Sequence, residues 1–183
     1  MKNYCKLMVI TLMLVMAAPP LTARAASRAE IDRDATFALQ KLYDGTPLAR
    51  MLADKARGIL IFPSIVKGGL IIGGQYGDGA LRVGGATTGY YRSVALSYGL
   101  QAGVQAFGYA LFFMNDKALN YLKKSKGWEI GVGPSIVIVD KGAAKALTTT
   151  TAKDDIYAFF FDQKGLMAGL GLQGTKITRI HPK

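Results

Sequence analysis

The sequence has very little of the side-chain chemistry that most often supports catalysis or metal binding. Its 183 residues include one cysteine, Cys5, and one histidine, His181. A lone cysteine excludes an intramolecular disulfide and a multi-cysteine metal site, and a lone histidine excludes a site with several histidine ligands. His181, two residues from the C-terminus, is also poorly placed to be the base of a catalytic triad. We therefore expect no catalytic residue, no metal site, no cofactor and no enzymatic activity.

Residues 1–25 are predicted to be a cleaved signal peptide. Lys2 and Lys6 precede an apolar stretch at residues 7–18, and Ala23-Arg24-Ala25 fits a small-x-small cleavage site. The apolar stretch is too short to remain as a membrane span. Cys5 precedes it and is not placed to carry the acyl anchor of a lipoprotein. Residues 26–183 are expected to form one domain, periplasmic or secreted and peripherally associated with a membrane.

Acidic residues are few: the chain has 12, against 23 lysines and arginines, and its formal net charge is +11. Loss of Lys2, Lys6 and Arg24 with the signal peptide leaves 20 basic and 12 acidic residues, a net charge of +8. Such a surplus attracts anionic lipid, nucleic acid and acidic polymers alike. Because an exported protein rarely meets nucleic acid, we expect an anionic phospholipid membrane as the partner and no nucleic acid. A basic surface that only confers solubility is the alternative.

Two amphipathic helices are predicted at the start of the domain. Ser27 and Glu30 have the spacing of a capping box, and apolar residues then recur at helical spacing as far as Asp44-Gly45. Thr46-Pro47 indicates a second start, and Gly58 indicates where this second helix ends. A third, short helix is predicted at Lys117–Ser125.

Most of the remaining sequence is typical of strands. The predicted strands are Ile59–Val66, Leu70–Tyr76, Ala80–Gly85, Tyr90–Leu100 and Val104–Met114, with a turn at Gly77-Asp78-Gly79. Tyr109–Met114 and Ile136–Val139 are apolar at every position, as in strands covered on both faces. The fold class is therefore α+β: a strongly curved or barrel-like, mostly antiparallel β-sheet, with two N-terminal helices and one short inserted helix packed against it.

The last part of the domain is predicted to be a buried hairpin. Ile156–Phe161 leads into a turn at residues 162–165 and returns through residues 166–174. Glycines at 169 and 171 leave one face of the returning strand bare, which indicates close approach of another element. The G-x-G-x-x-G spacing at residues 169–174 is not a dinucleotide site, because no helix follows it.

Motifs in a particular order give a resemblance to a known family. They are Ala56–Pro63, Lys67-Gly68-Gly69, Gly73-Gly74, Gly131–Pro134, Ile156-Tyr157, Lys164-Gly165-Leu166, Ala168-Gly169, Leu172, Gly174 and Ile177. In this order they resemble the SYLF domain, also described as a yeast-type actin-binding domain, over most of residues 30–180. The resemblance implies a non-enzymatic domain that binds membrane lipids: phosphoinositides in eukaryotic relatives, with actin association in fungal ones. Actin is not expected as a partner of an exported chain.

Two groups of basic residues are the candidate lipid-binding sites. One follows the start of the third helix and comprises Lys117, Lys123, Lys124 and Lys126; the other lies on the first helix and comprises Arg28, Arg33 and Lys41. The lysines also suit the negative end of a helix dipole, so a purely structural role stays open. Acidic residues interleave with the first-helix cations, so that helix is equally suited to covering the sheet.

Two other functions are compatible with the pattern. The signal peptide, glycines and short strands would suit a small outer-membrane β-barrel, although strands that are apolar on both faces fit it poorly. The glycine-bare faces would suit an envelope carrier of a buried acyl ligand. The leading interpretation is an exported, peripheral phospholipid-binding domain whose oligomeric state the sequence leaves open.

Overall fold

A computed structural model describes residues 25–69, 72–98, 103–139, 153–164, 172 and 174–183. The predicted signal peptide, apart from Ala25, lies outside these residues. So do the threonine-rich stretch before Lys153 and most of the predicted returning strand 166–174.

Two helices open the described chain, α1 at Arg28–Gly45 and α2 at Pro47–Ala53. The predicted capping box is present: the Ser27 hydroxyl accepts from the Glu30 amide, and the Ser27 amide donates to Glu30 Oε2 at 2.7 Å. Pro47 occupies the first turn of α2, where its missing N–H costs no helical bond. α2 ends earlier than expected, at Ala53, and Gly58 begins the first strand instead of ending the helix.

The described strands form one eight-stranded sheet. They are β1 Gly58–Gly69, β2 Ile72–Val83, β3 Ala86–Tyr98, β4 Gly103–Phe113, β5 Trp128–Glu129, β6 Ile136–Val139, β7 Ile156–Lys164 and β8 Lys176–Ile180. Their order across the sheet is β5-β8-β3-β2-β1-β4-β7-β6. Every pair is antiparallel except β6 with β7. The third helix, α3, spans Asp116–Lys124. The fold class is confirmed as α+β with a curled, mostly antiparallel sheet.

The turn predicted at Gly77-Asp78-Gly79 is wrong, because β2 runs straight through it. Asp78 lies opposite Arg92 of β3, and the two side chains form a bidentate ion pair at 2.8 and 3.0 Å. The glycines serve close packing against the bulged part of β1: a Cβ at Gly79 would meet the Ile61 carbonyl oxygen. The connection from β2 to β3 is Gly84-Gly85, both with positive φ.

The two faces of the sheet pack against different helices. One face, called here the α1 face, packs against α1 and α2 and contributes Ile59, Ile61, Ala80, Ala110, Phe112, Tyr157 and Phe159. The opposite face, the α3 face, packs against α3 and contributes Leu60, Phe62, Leu81, Tyr91, Tyr109, Leu111 and Phe113. The prediction that the apolar run of β4 is covered on both sides is confirmed, since residues 109–113 are fully buried. Adjacent side chains of one strand therefore belong to two separate cores.

Two other sequence predictions need correction. β6 is an edge strand whose Ile138 is 43% exposed, so it is not covered on both faces. β7 continues through the predicted turn to Lys164, and β4 and β6 flank its first half, while Leu172 and Gly174 lie outside any strand. The first arm of the predicted hairpin is thus confirmed as a strand, its predicted turn is wrong at residues 162–164, and most of its returning strand lies outside the described residues.

Candidate functional site

Helix α3 is held in place at its first turn. Asn115 caps it by accepting from the Ala118 amide at 2.9 Å and donates through Nδ2 to Asp155 at 2.7 Å. Asp155 also accepts from the Ser135 amide at 3.1 Å. These hydrogen bonds lower the pKa of the Asp155 carboxyl, the bond from Asn115 contributing most. One carboxylate thus joins the starts of α3, β6 and β7.

The orientation of α3 exposes its basic residues. Ala118, Leu119 and Leu122 are buried against the α3 face of the sheet, so the remaining positions point outward. Four of the predicted site residues lie exposed on this helix and just after it, namely Lys117, Lys123, Lys124 and Lys126. Among the described residues, none of these four lysines forms an ion pair.

An aromatic ring lies between these lysines. Tyr121 is 41% exposed, and its ring meets the edge of Trp128 with 6.4 Å between centroids. The ring also covers Gly133, where a Cβ would lie within 3 Å of it. A shallow depression beside Tyr121 is lined by Lys117 and Lys124. The site therefore combines cationic side chains with an amphipathic aromatic residue, a combination suited to a polar–apolar boundary.

One basic residue of this surface was missed from the sequence. Lys176 begins β8, which pairs with β5, and it lies opposite Glu129. A Cβ at Gly127 would be 2.9 Å from Lys176 Cε, so this lysine lies beside the segment that follows α3. The alternation of exposed Lys176 with buried Ile177 marks it as a surface residue, but only the pairing of β8 with β5 brings it to α3. The five exposed lysines, Lys117, Lys123, Lys124, Lys126 and Lys176, are called the lysine patch.

The predicted cations of α1 lie elsewhere, on the side of the sheet opposite α3, and each has a partner. Arg28 Nε donates to the Pro182 carbonyl oxygen at 2.8 Å. Arg33 pairs with Asp34 at 3.0 Å, and Lys41 pairs with Asp162. The structure does not bring these three residues together with the lysine patch.

Helix α1 is fastened to the sheet by a polar contact that was also missed from the sequence. Asp32 accepts from Thr87 Oγ1 at 2.7 Å and from the Tyr90 hydroxyl at 2.8 Å, and its backbone carbonyl accepts from Arg82. Burial and the hydrogen bond to Asp32 raise the pKa of Tyr90. Helix α1 thus covers the sheet, which was one of the two roles considered for it.

Other polar groups of the described region are structural. The Tyr109 hydroxyl donates to Ser93 at 2.8 Å, and burial raises the pKa of Tyr109 far above its ordinary value. The described residues contain no group of three or more metal-ligating side chains. None of the described helices has the length and apolar character needed to cross a bilayer.

These features define a class: an α+β domain in which one curled antiparallel sheet separates two apolar cores, with an exposed lysine patch at one end. Residues 94–181 match the family model described as Ysc84, Las17-binding protein actin regulator. Over these residues the chain thus matches the SYLF family that its motifs resemble. The match begins in β3 and ends after β8, so it includes α3 and all of the lysine patch. A search of curated proteins found no match.

Proposed function

We propose that this protein is an exported, non-enzymatic domain that binds anionic phospholipid membranes peripherally through the lysine patch. The observation that carries the proposal is a set of five exposed lysines on and beside α3, none of them in an ion pair among the described residues. Lysines that are not held in an ion pair can contact phosphate oxygens. The engaged cations Arg28, Arg33 and Lys41 are not part of this proposed site.

The chemistry is that of ammonium groups at a negatively charged surface. Each lysine close to an anionic membrane contributes on the order of 1 kcal/mol, and the contribution falls within a Debye length. Lysine acts as a point charge with three donors, so the patch would recognise the density of headgroup phosphates more than the stereochemistry of a particular headgroup. Tyr121 would lie at the level of the headgroups, where amphipathic aromatic side chains are favoured.

The direct test is co-sedimentation of the purified protein with phosphatidylglycerol vesicles and with phosphatidylcholine vesicles. We expect binding to the former, weakening as salt rises, and little binding to the latter. The variant Lys123→Gln/Lys124→Gln/Lys126→Gln should lose on the order of a hundredfold in affinity, because three contributions are removed.

The matched control neutralises three exposed lysines outside the patch, in the variant Lys55→Gln/Lys153→Gln/Lys164→Gln. It has the same net charge as the patch variant and should bind nearly as well as the parent protein. Equal losses in both variants would mean that net charge alone drives binding and would contradict a defined site. Co-sedimentation with filamentous actin in the absence of lipid would favour the activity that the family description names.

A further inference from the structure

The loop that follows β5 carries an exposed apolar side chain and no charge. It comprises Gly131-Val132-Gly133-Pro134, and no charged residue occurs in the sequence between Glu129 and Asp140. Val132 is 58% exposed, and the glycines on both sides of it have positive φ, 106° at Gly131 and 95° at Gly133. Glycine adopts such backbone angles without the strain that a side chain would add. We call residues 131–134 the glycine loop.

The backbone of Val132 is already paired within the protein. Its N–H donates to the Glu129 carbonyl oxygen at 3.2 Å, and its own carbonyl oxygen accepts from Trp128 Nε1 at 2.9 Å. The backbone groups of an exposed loop residue ordinarily rely on water for their hydrogen bonds. Val132 can therefore leave water without an unpaired N–H or C=O, which is the condition for placing loop backbone in an apolar environment.

The glycine loop lies beside helix α3 and its lysines. A Cβ at Gly133 would be 2.7 Å from the Tyr121 ring, so this ring packs directly on the loop. Tyr121 also lines the depression that Lys117 and Lys124 border. The ring thus lies between the apolar loop and the cationic side chains, and it is itself 41% exposed. An apolar contact and a cationic contact are available side by side.

The acidic residues next to the loop and to α3 are directed elsewhere or engaged. Trp128 projects into the core of the α3 face, so the adjacent Glu129 projects to the other face, where it lies opposite Lys176. Asp116, at the start of α3, pairs with Arg57 at 3.9 Å. The surface beside the glycine loop is therefore cationic. A second copy of the chain would bring like charges together there, whereas an anionic membrane complements them.

We propose that Val132 inserts at the boundary between headgroups and acyl chains of the anionic membrane that the lysines of α3 contact. This inference rests on the proposed function and deepens it, since it names the apolar contact of the same site. Apolar side chains of peripheral segments enter to a depth of about 5–10 Å, with cationic residues at the headgroups. Tyr121 lies between the two and matches the headgroup level, where its ring and its hydroxyl meet different environments.

Fluorescence quenching by brominated acyl chains tests the depth. Val132→Trp places an indole on the glycine loop, and Phe37→Trp places one on α1, at an exposed site on the other side of the sheet. The native Trp128 is buried and common to both variants, so the signal of the parent protein is subtracted. On phosphatidylglycerol vesicles with brominated chains, the indole at residue 132 should lose about half or more of its fluorescence, and the indole at residue 37 should lose little.

A set of uncharged substitutions measures affinity. Val132→Asn should weaken binding to phosphatidylglycerol vesicles on the order of tenfold, because the apolar contact is lost while the net charge is unchanged. Val132→Phe should strengthen binding roughly threefold or more, because it offers a larger apolar side chain. Phe37→Asn is the control and should bind like the parent protein. Circular dichroism and thermal unfolding check that each variant folds, and the gain in Val132→Phe is a result that misfolding does not produce.

The outcomes separate this inference from the proposed function. Vesicle binding that depends on the lysine patch, but without quenching at residue 132 and with equal affinities for Val132→Asn, Val132→Phe and the parent protein, would overturn the inference and leave the function standing. No vesicle binding by the parent protein would overturn both. A parent protein that is dimeric in sedimentation and becomes monomeric in Val132→Asn would overturn the inference, since a second copy would then occupy the loop.

Discussion

At the residue scale, the glycines of β2 show that the structural role of a short motif depends on the strands packed beside it. Gly77-Asp78-Gly79 has the composition of a hairpin turn, yet it lies within a long strand. Asp78 is held by Arg92 of the adjacent strand, and the glycines allow the β1 bulge to approach. Glycines that suggest a turn can therefore instead lie within a strand, at a point where two strands pack unusually closely.

We predict that Gly79→Ala destabilises the fold. An alanine Cβ would meet the Ile61 carbonyl oxygen and lie 2.7 Å from Phe62 Cδ1, so backbone would have to shift. Overpacking of this kind costs about 1–3 kcal/mol, which chemical denaturation would measure. Gly45→Ala is the control, because a Cβ there has nothing within 4 Å and the position is the last of α1. Equal stability of the two variants would contradict the close crossing of β1 and β2.

A second residue-scale prediction concerns Asp155. Hydrogen bonds from Asn115 and Ser135 lower its pKa in the folded state, so its stabilising effect is present above the unfolded-state pKa and is lost as pH falls through the folded-state value. Asp155→Asn should therefore unfold at a lower temperature than the parent protein near pH 7, and the difference should shrink below about pH 3. Asp54→Asn, which removes a carboxylate at an exposed site after α2, is the matched control. A difference that persists unchanged in acid would rule out this role for the carboxylate.

At the element scale, α3 illustrates how a short helix can present a charged surface. Nine residues are too few for an isolated helix to be stable in water, so its position depends on the buried side chains and on the cap. The cap is also a tertiary contact, because Asn115 binds Asp155. The position of the lysines on α3 therefore depends on this connection between α3 and β7.

We predict that Asn115→Ala lowers stability by about 1 kcal/mol or somewhat more, since it removes an N-cap and the bond to Asp155. The same variant should weaken vesicle binding modestly while leaving every lysine in place. Asn120→Ala, at an exposed site in the same helix, serves as the control and should be neutral or slightly stabilising. Unchanged vesicle binding in a demonstrably destabilised Asn115→Ala protein would show that the patch does not need the cap.

At the scale of the whole molecule, the sheet separates the two groups of basic residues that the sequence presented together. Cations on α1 pair with acids or with a carbonyl oxygen, whereas the lysines on and just after α3, on the other side of the sheet, form no ion pair among the described residues. Net charge alone therefore does not describe where a membrane would contact the protein.

Vesicle binding through the lysine patch should respond steeply to salt. The Debye length falls from about 10 Å at 0.1 M salt to about 3 Å at 1 M, which suppresses the lysine contribution. We predict that the parent protein loses most of its binding to phosphatidylglycerol vesicles across this range, and that Lys123→Gln/Lys124→Gln/Lys126→Gln shows a shallower salt dependence. Vesicle flotation across a salt series would measure this, with Lys55→Gln/Lys153→Gln/Lys164→Gln as the control. An equal salt dependence of the two variants would contradict a defined site.

The sequence by itself determined the elements whose signals are local. Three such signals come from residues within a few positions of one another: the capping box at Ser27, the apolar stripe of α1 and the fully apolar run of β4. In the capping box the side chains satisfy backbone donors of the same helix, and the apolar residues recur at a spacing that puts them on one face of their element. Neither effect depends on the rest of the chain. The mostly antiparallel, curved α+β fold followed from these elements and from the order of the family motifs.

Only the tertiary structure decided what depends on strand pairing. It extended β2 through an apparent turn, placed β7 between β4 and β6, and brought Lys176 beside the end of α3. It also placed the α1 cations and helix α3 with its lysines on opposite sides of the sheet. The physical reason is that strand pairing brings together segments that lie far apart in the chain. A local sequence pattern does not specify which segments pair or in which register.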